Sequence, residues 1–190
     1  MATKLRYASP TEEAADVRLK RKALLHSLRT HLIPVLVQQG FESISKISHG
    51  AVDREYKETF PFGSFVRNRQ CSVDFIEIQM APHRADFFRI NAGRRSSNGL
   101  VTENSDPASD ALLGTWTRKF EMLARPKLWG FWWWSWFTVR TWFRDPGPAD
   151  YDKLAMRVAG YLAELELAFE RDQLGPHLRR AWIPPAISKK

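Results

Sequence analysis

Six of the chain's eight tryptophans fall between residues 127 and 143, in KLWGFWWWSWFTVRTWF. Any fold must find a place for Trp129, Trp132, Trp133, Trp134, Trp136 and Trp142. Each indole brings a large apolar surface and one N–H donor, and burial of one ring contributes several kcal/mol. Leaving several exposed therefore needs a compensating role. Read as a strand, Trp132, Trp134 and Trp136 share one side, and Trp133, Phe137 and Val139 share the other. Read as a helix, Trp129, Trp132, Trp133, Trp136 and Phe143 share a face. Both periods fit, so propensity decides: Trp, Phe, Thr and Val favour the pleated surface. The expectation is one long strand, or two with a kink near Gly130 or Ser135, covered on both faces as an interior element. Leu128–Phe143 is 16 residues with Arg140 inside it, against the ~20 mostly apolar residues of a spanning helix. No transmembrane segment is expected.

Two amphipathic helices bracket this element. Ser9-Pro10-Thr11-Glu12 reads as a capping start. Leu24, Leu25, Leu28, Leu32, Val35 and Leu36 then recur at helical spacing up to a stop at Gly40. Pro34 should kink or divide this helix. After the break at Asp145-Pro146-Gly147-Pro148, Leu154, Val158, Tyr161, Leu162, Leu165 and Phe169 mark the buried stripe of a second helix that begins near Tyr151 and ends before Gly175-Pro176. Between the helices the period changes to two. FESISKISH, VDREYKETF, CSVDFIEIQM and FFRINAG read as four strands, with a turn at APHRAD. Residues 96–110 read as a polar loop, and a further strand is expected around 112–120. The short links favour an antiparallel meander. The fold class is thus α+β: an antiparallel sheet of five or six strands with long N-terminal and C-terminal helices packed on one face. The expected organisation is a frayed N-terminus at 1–8, a single domain at 9–182 and a disordered basic tail at 183–190.

Several chemistries are set aside by what the chain lacks. With Cys71 as the single cysteine, no intramolecular disulfide or Cys-based zinc site can form. The five histidines show no HExxH or His-x-His spacing, and no Walker A, GxGxxG or GxSxG motif is present. No catalytic residues, metal site or cofactor are expected. The N-terminus lacks the apolar stretch of a signal peptide, which predicts a cytoplasmic protein. One catalytic pattern comes close. Gly63-Ser64 stands ten positions before Asp74, as the Gly-Ser turn of nucleotidyltransferases precedes a strand with two Mg²⁺-binding carboxylates. The second acid is Glu77 rather than residue 76, so on a regular strand the two acids point to opposite faces. A divergent nucleotidyltransferase is the third-ranked reading.

The best surface candidate lies on the strands flanking APHRAD. Glu77 and Gln79 share one parity, as do Arg89 and Asn91, and pairing across the turn places all four on one sheet face. Arg67 and Arg69 could join them, and Trp132 and Trp134 could add exposed rings. The alternative for this stripe is an ordinary solvated sheet face.

The order helix, Gly40-Phe41, FVRNRQCSVDFIEIQ, FFRINAG, a Trp-Trp segment and a helix ending in LGPHLRRAW resembles a bacterial family of small cytoplasmic α+β proteins of unknown function. The resemblance covers residues 20–182. It implies the fold but carries over no activity and no catalytic residues.

The formal net charge of +8 favours acidic partners. The leading expectation is a non-catalytic binding module for an acidic protein partner, immunity- or inhibitor-like. Basic residues interleaved with aromatics, as in RKFEMLARPKLWGFWWW, make single-stranded nucleic-acid binding the alternative. The sequence leaves the oligomeric state open.

Overall fold

A computed structural model describes residues 10–44, 52–82, 86–96, 118–125 and 136–181. Helix α1 (Pro10–Ser27) runs into a π-helical turn (Leu28–Leu32) and then α2 (Ile33–Gln38). The irregular turn lies immediately before Pro34, which has no N–H to donate and whose ring crowds the carbonyl four residues earlier. The Ile33 N–H reaches back to the Leu28 carbonyl instead. The expected kink is thus a widened turn within one continuous rod. Leu24, Leu28, Leu32 and Leu36 are fully buried along it. Gly40 ends it with φ 83°, a left-handed conformation that glycine adopts at little cost.

Six strands follow in chain order: β1 (Glu42–Ile44), β2 (Ser64–Asn68), β3 (Ser72–Met80), β4 (Phe88–Ser96), β5 (Arg118–Met122) and β6 (Leu178–Arg180). They lie in the sheet in that same order, and every neighbouring pair is antiparallel. The expected α+β class and antiparallel sheet are therefore observed. A short helix, α3 (Val52–Thr59), separates β1 from β2, and a long helix, α4 (Pro148–Arg171), precedes β6.

One face of the sheet presents Phe65, Ile76, Ile78, Met80, Phe88, Ile90, Phe120 and Leu178 to the stripes of α1–α2 and α4, and all of these are buried in one core. Phe169 of α4 ties the layers together, with its ring 5.9 Å from Phe120 and 6.5 Å from Phe41. From α4, Leu154, Val158, Leu162, Leu165 and Phe169 are buried as their spacing predicts, and Tyr161 packs partly buried beside them.

Four sequence expectations need correction. VDREYKETF is not a strand; Val52–Thr59 is helical. It is rich in good helix formers, and the rings of Tyr56 and Phe60, four residues apart, pack tilted with centroids 5.0 Å apart. SFVRN, read as a link, is β2, joined to β3 by a tight turn that the Arg69 N–H closes on the Ser72 carbonyl at 2.8 Å. Leu178–Arg180, given no element of its own in the sequence, form the edge strand β6. Helix α4 starts three residues earlier than expected, with Pro148 as its first residue.

Part of the aromatic run lies outside the described residues, including Trp132 and Trp134. Its described part is no long strand. Among the described residues its backbone pairing with the sheet is one bridge, in which Phe137 and Phe88 exchange hydrogen bonds of 3.0 and 2.6 Å. Their rings stack at 5.2 Å. Past Phe137 the chain leaves the sheet and turns at Trp142–Arg144 toward the start of α4. Phe137 is buried, whereas Trp142 is 89% and Phe143 101% exposed. The interior expectation holds for Phe137 and not for these two rings.

Candidate functional site

The residues singled out in the sequence separate onto the two faces of the sheet. Register is the cause. Arg67 stands opposite Asp74, and Asp74 opposite Arg94, on the helix-covered face. Glu77 stands opposite both Ser64 and Asn91, and Gln79 opposite Arg89, on the other face.

On the helix-covered face the charges close on each other. The Asp74 side chain has no solvent exposure. It accepts hydrogen bonds from Arg67 Nη2 at 2.9 Å, Arg69 Nε at 2.6 Å and Arg94 Nε at 2.6 Å. From α4, Glu166 Oε2 accepts from Arg67 Nη2 at 3.1 Å and from Arg69 Nη2 at 3.0 Å, and Glu170 lies 3.5 Å from Arg69. Arg94 also donates to the Phe169 carbonyl. Three guanidiniums thus meet three carboxylates. Burial pushes the Asp74 carboxyl up, but the hydrogen bonds from Arg94, Arg67 and Arg69 outweigh it and hold it below the usual carboxylate range. This cluster bolts β2, β3 and β4 to α4. Arg67 and Arg69 spend their charge internally.

The opposite face carries the stripe that period-two spacing predicts. Gln79 Oε1 accepts from Arg89 Nε at 2.7 Å and from Asn91 Nδ2 at 3.1 Å. Glu77 is buried and accepts from the Ser64 hydroxyl at 2.9 Å. Three residues extend the stripe beyond the sequence reading. Glu121 of β5 accepts from Arg179 of β6, and the Trp136 ring lies 5.0 Å from the Arg89 guanidinium. Burial lowers the Arg89 pKa, against the attraction of Glu121 and with the repulsion of Arg179. The sequence offers Ser64 only as part of a Gly-Ser turn and gives no sign of Arg179, because β2 and β6 are not legible there; Glu121 falls just past the expected strand.

Asp74 and Glu77 accordingly do not converge. One is enclosed by guanidiniums and the other faces away from it, so these two acids form no paired metal site. Among the described residues no group of three or more His, Cys, Asp or Glu is placed to hold a metal ion. No described helix is long and apolar enough to cross a membrane.

A third region brings together residues that lie far apart in the sequence. A cavity of about 280 Å³ opens between residues 124–125, just after β5, the segment 136–141, and the first turns of α4. Trp136, Val139 and Leu154 supply apolar lining, and Arg125, Arg140, Lys153 and Arg157 supply four positive charges. The one lining carboxylate, Asp150, is already held by Arg144 at 2.6 and 2.7 Å and by the Gly147 N–H at 2.9 Å. These partners depress its pKa to about 2. All four lining cations are exposed, and among the described residues no hydrogen bond or ion pair engages Arg140 or Arg157. Trp136 belongs to both regions, lining the cavity while stacking on Arg89 of the stripe. The exposed Trp142 and Phe143 directly follow Thr141, another lining residue.

The fold and this cavity define an α+β protein with an open basic depression beside two exposed aromatic rings. Comparison with protein-family models, with curated proteins and with solved structures gives no match to the chain.

Proposed function

We propose that this chain is a non-catalytic binding module for an acidic protein partner, docking through the basic cavity and the Trp142–Phe143 tip. A place in the bacterial family whose motif order it resembles is part of the same proposal, as is a cytoplasmic setting. The single observation that carries it is the union of Arg140 and Arg157, which no acid engages among the described residues, with exposed rings. Trp and Arg are the residues that most often dominate binding energy at protein interfaces, and unpaired cations of one sign steer an acidic partner. A Trp left 89% exposed forgoes burial that other large rings of the chain obtain, and a partner would restore it.

Single-stranded nucleic acid is the second reading, favoured by the same exposed rings next to Arg140 and Arg157, since bases stack on aromatics while cations track phosphates. A divergent nucleotidyltransferase is third, and it would need acids other than the separated Asp74 and Glu77. One experiment orders these. With photoreactive p-benzoylphenylalanine at position 143, irradiation in cells should yield an adduct with one acidic protein, lost when Arg140→Glu and Arg157→Glu are combined. Nucleic-acid adducts would promote the second reading. Absence of any specific adduct would remove both.

A further inference from the structure

The cavity carries a charge excess that an ordinary carboxylate matches poorly. Four cations line it, and Asp150, the one lining acid among the described residues, is engaged by Arg144. The lining hydroxyls do not add donors: Thr138 is oriented to the Val139 carbonyl and Thr141 to that of Arg144. Donation to a ligand therefore falls to Arg140, Arg157 and the Lys153 ammonium. A guanidinium presents a planar fork that matches phosphate oxygens in pairs. A carboxylate brings one charge and two oxygens; a phosphate monoester brings close to two charges and three oxygens at neutral pH. At about 280 Å³ the space exceeds a bare phosphate, and Trp136, Val139 and Leu154 give an apolar wall for the rest of the group.

Resting on the acidic-partner reading, we infer that the group this cavity takes is a phosphorylated side chain of that partner. Its phosphate is met by Arg140 and Arg157 with Lys153, and its carbon body lies against Trp136 and Val139. Neighbouring Trp142 and Phe143 then contact the partner's surface beyond the phosphorylated residue.

Isothermal titration calorimetry on the full chain tests this with phenyl phosphate, phenylacetate, adenosine monophosphate and phosphatidylcholine vesicles containing phosphatidic acid. Phenyl phosphate should bind roughly tenfold or more tightly than phenylacetate, and Arg140→Ala and Arg157→Ala should each weaken it on the order of tenfold. Lys22→Ala, an exposed cation on α1, should leave it unchanged and so control for bulk charge. Equal binding of the two phenyl compounds, or indifference to Arg140→Ala and Arg157→Ala, overturns the inference. So does tighter binding of the mononucleotide or the vesicles, which would assign the phosphate to another source. If an acidic protein still cross-links at position 143 in an Arg140- and Arg157-dependent way without a phosphate preference, this inference falls and the broader reading stands.

Discussion

Arg67, Arg69 and Arg94 beneath α4 and Arg140 and Arg157 at the cavity are the same side chain in opposite electrostatic settings. The first three converge on Asp74, with Glu166 and Glu170 completing the neutralisation, and their side chains are only 13–29% exposed. The other two stand exposed, with no acid engaging them among the described residues. A formal charge of +8 counts all five alike. What separates them is whether an acid from another element reaches them. The difference teaches that a closed cluster is scaffold and an open one is available to bind, and it can be broken or sharpened by mutation.

The largest effect should come from the closed side. Asp74→Ala leaves three partly buried guanidiniums without their common acceptor, and removing one partner of such a buried network costs about 3–5 kcal/mol. Urea unfolding of the variant would show it. A change below about 1 kcal/mol would mean that water enters and solvates the arginines in its place.

Next comes pH. Because the Asp74 carboxyl is held below its ordinary value, it stabilises the fold above the unfolded carboxylate pKa of about 4. That contribution is lost as pH falls through the lower folded value. Stability measured from about pH 6 to about pH 2 should decline through this range in the parent, and the decline should be shallower in Asp74→Asn. Equal slopes would show that other acids govern the acid transition.

A smaller effect is expected at Gly175, where an added Cβ would overlap the Glu164 carboxyl group. That carboxyl holds the His177 ring at 2.6 Å and its backbone N–H at 2.8 Å, at the entry to β6. Gly175→Ala should therefore cost about 1–2 kcal/mol, roughly one or two hydrogen bonds, with faster amide exchange in Leu178–Arg180. Unchanged exchange there would show that Glu164 relaxes freely.

The smallest effect on stability belongs to the open side. Arg140→Ala combined with Arg157→Ala should shift unfolding by no more than about 0.5 kcal/mol, while removing the cross-link to a partner. Marked destabilisation would show that these cations are structural after all.

How much of this was legible depends on range. The stripes of α1–α2 and α4 could be read because a helix repeats its buried side every three or four residues, and Leu24, Leu28, Leu32 and Leu36 obey that spacing. The Glu77, Gln79, Arg89 and Asn91 stripe could be read because one short turn sets its register. Local spacing puts Arg67 and Arg69 with that stripe only while Ser64–Asn68 is a link; once that segment pairs with β3, Arg67 falls opposite Asp74 on the other face. Val52–Thr59 resembles a strand because its charged residues alternate loosely, and only the helical spacing of Tyr56 and Phe60 points the other way. The cavity could not be read at all. Arg125, Arg140 and Arg157 come from three separate elements, and only the packing of α4 beside residues 136–141 brings them to one opening.

The most direct measurement is arginine-specific footprinting of the native chain with phenylglyoxal, read by mass spectrometry. Arg140 and Arg157 should be modified quickly, whereas Arg67, Arg69 and Arg94 should react only when the protein unfolds. Comparable rates at all five positions, or faster reaction at Arg67 and Arg94, would contradict the division between a sealed scaffold and an open binding site.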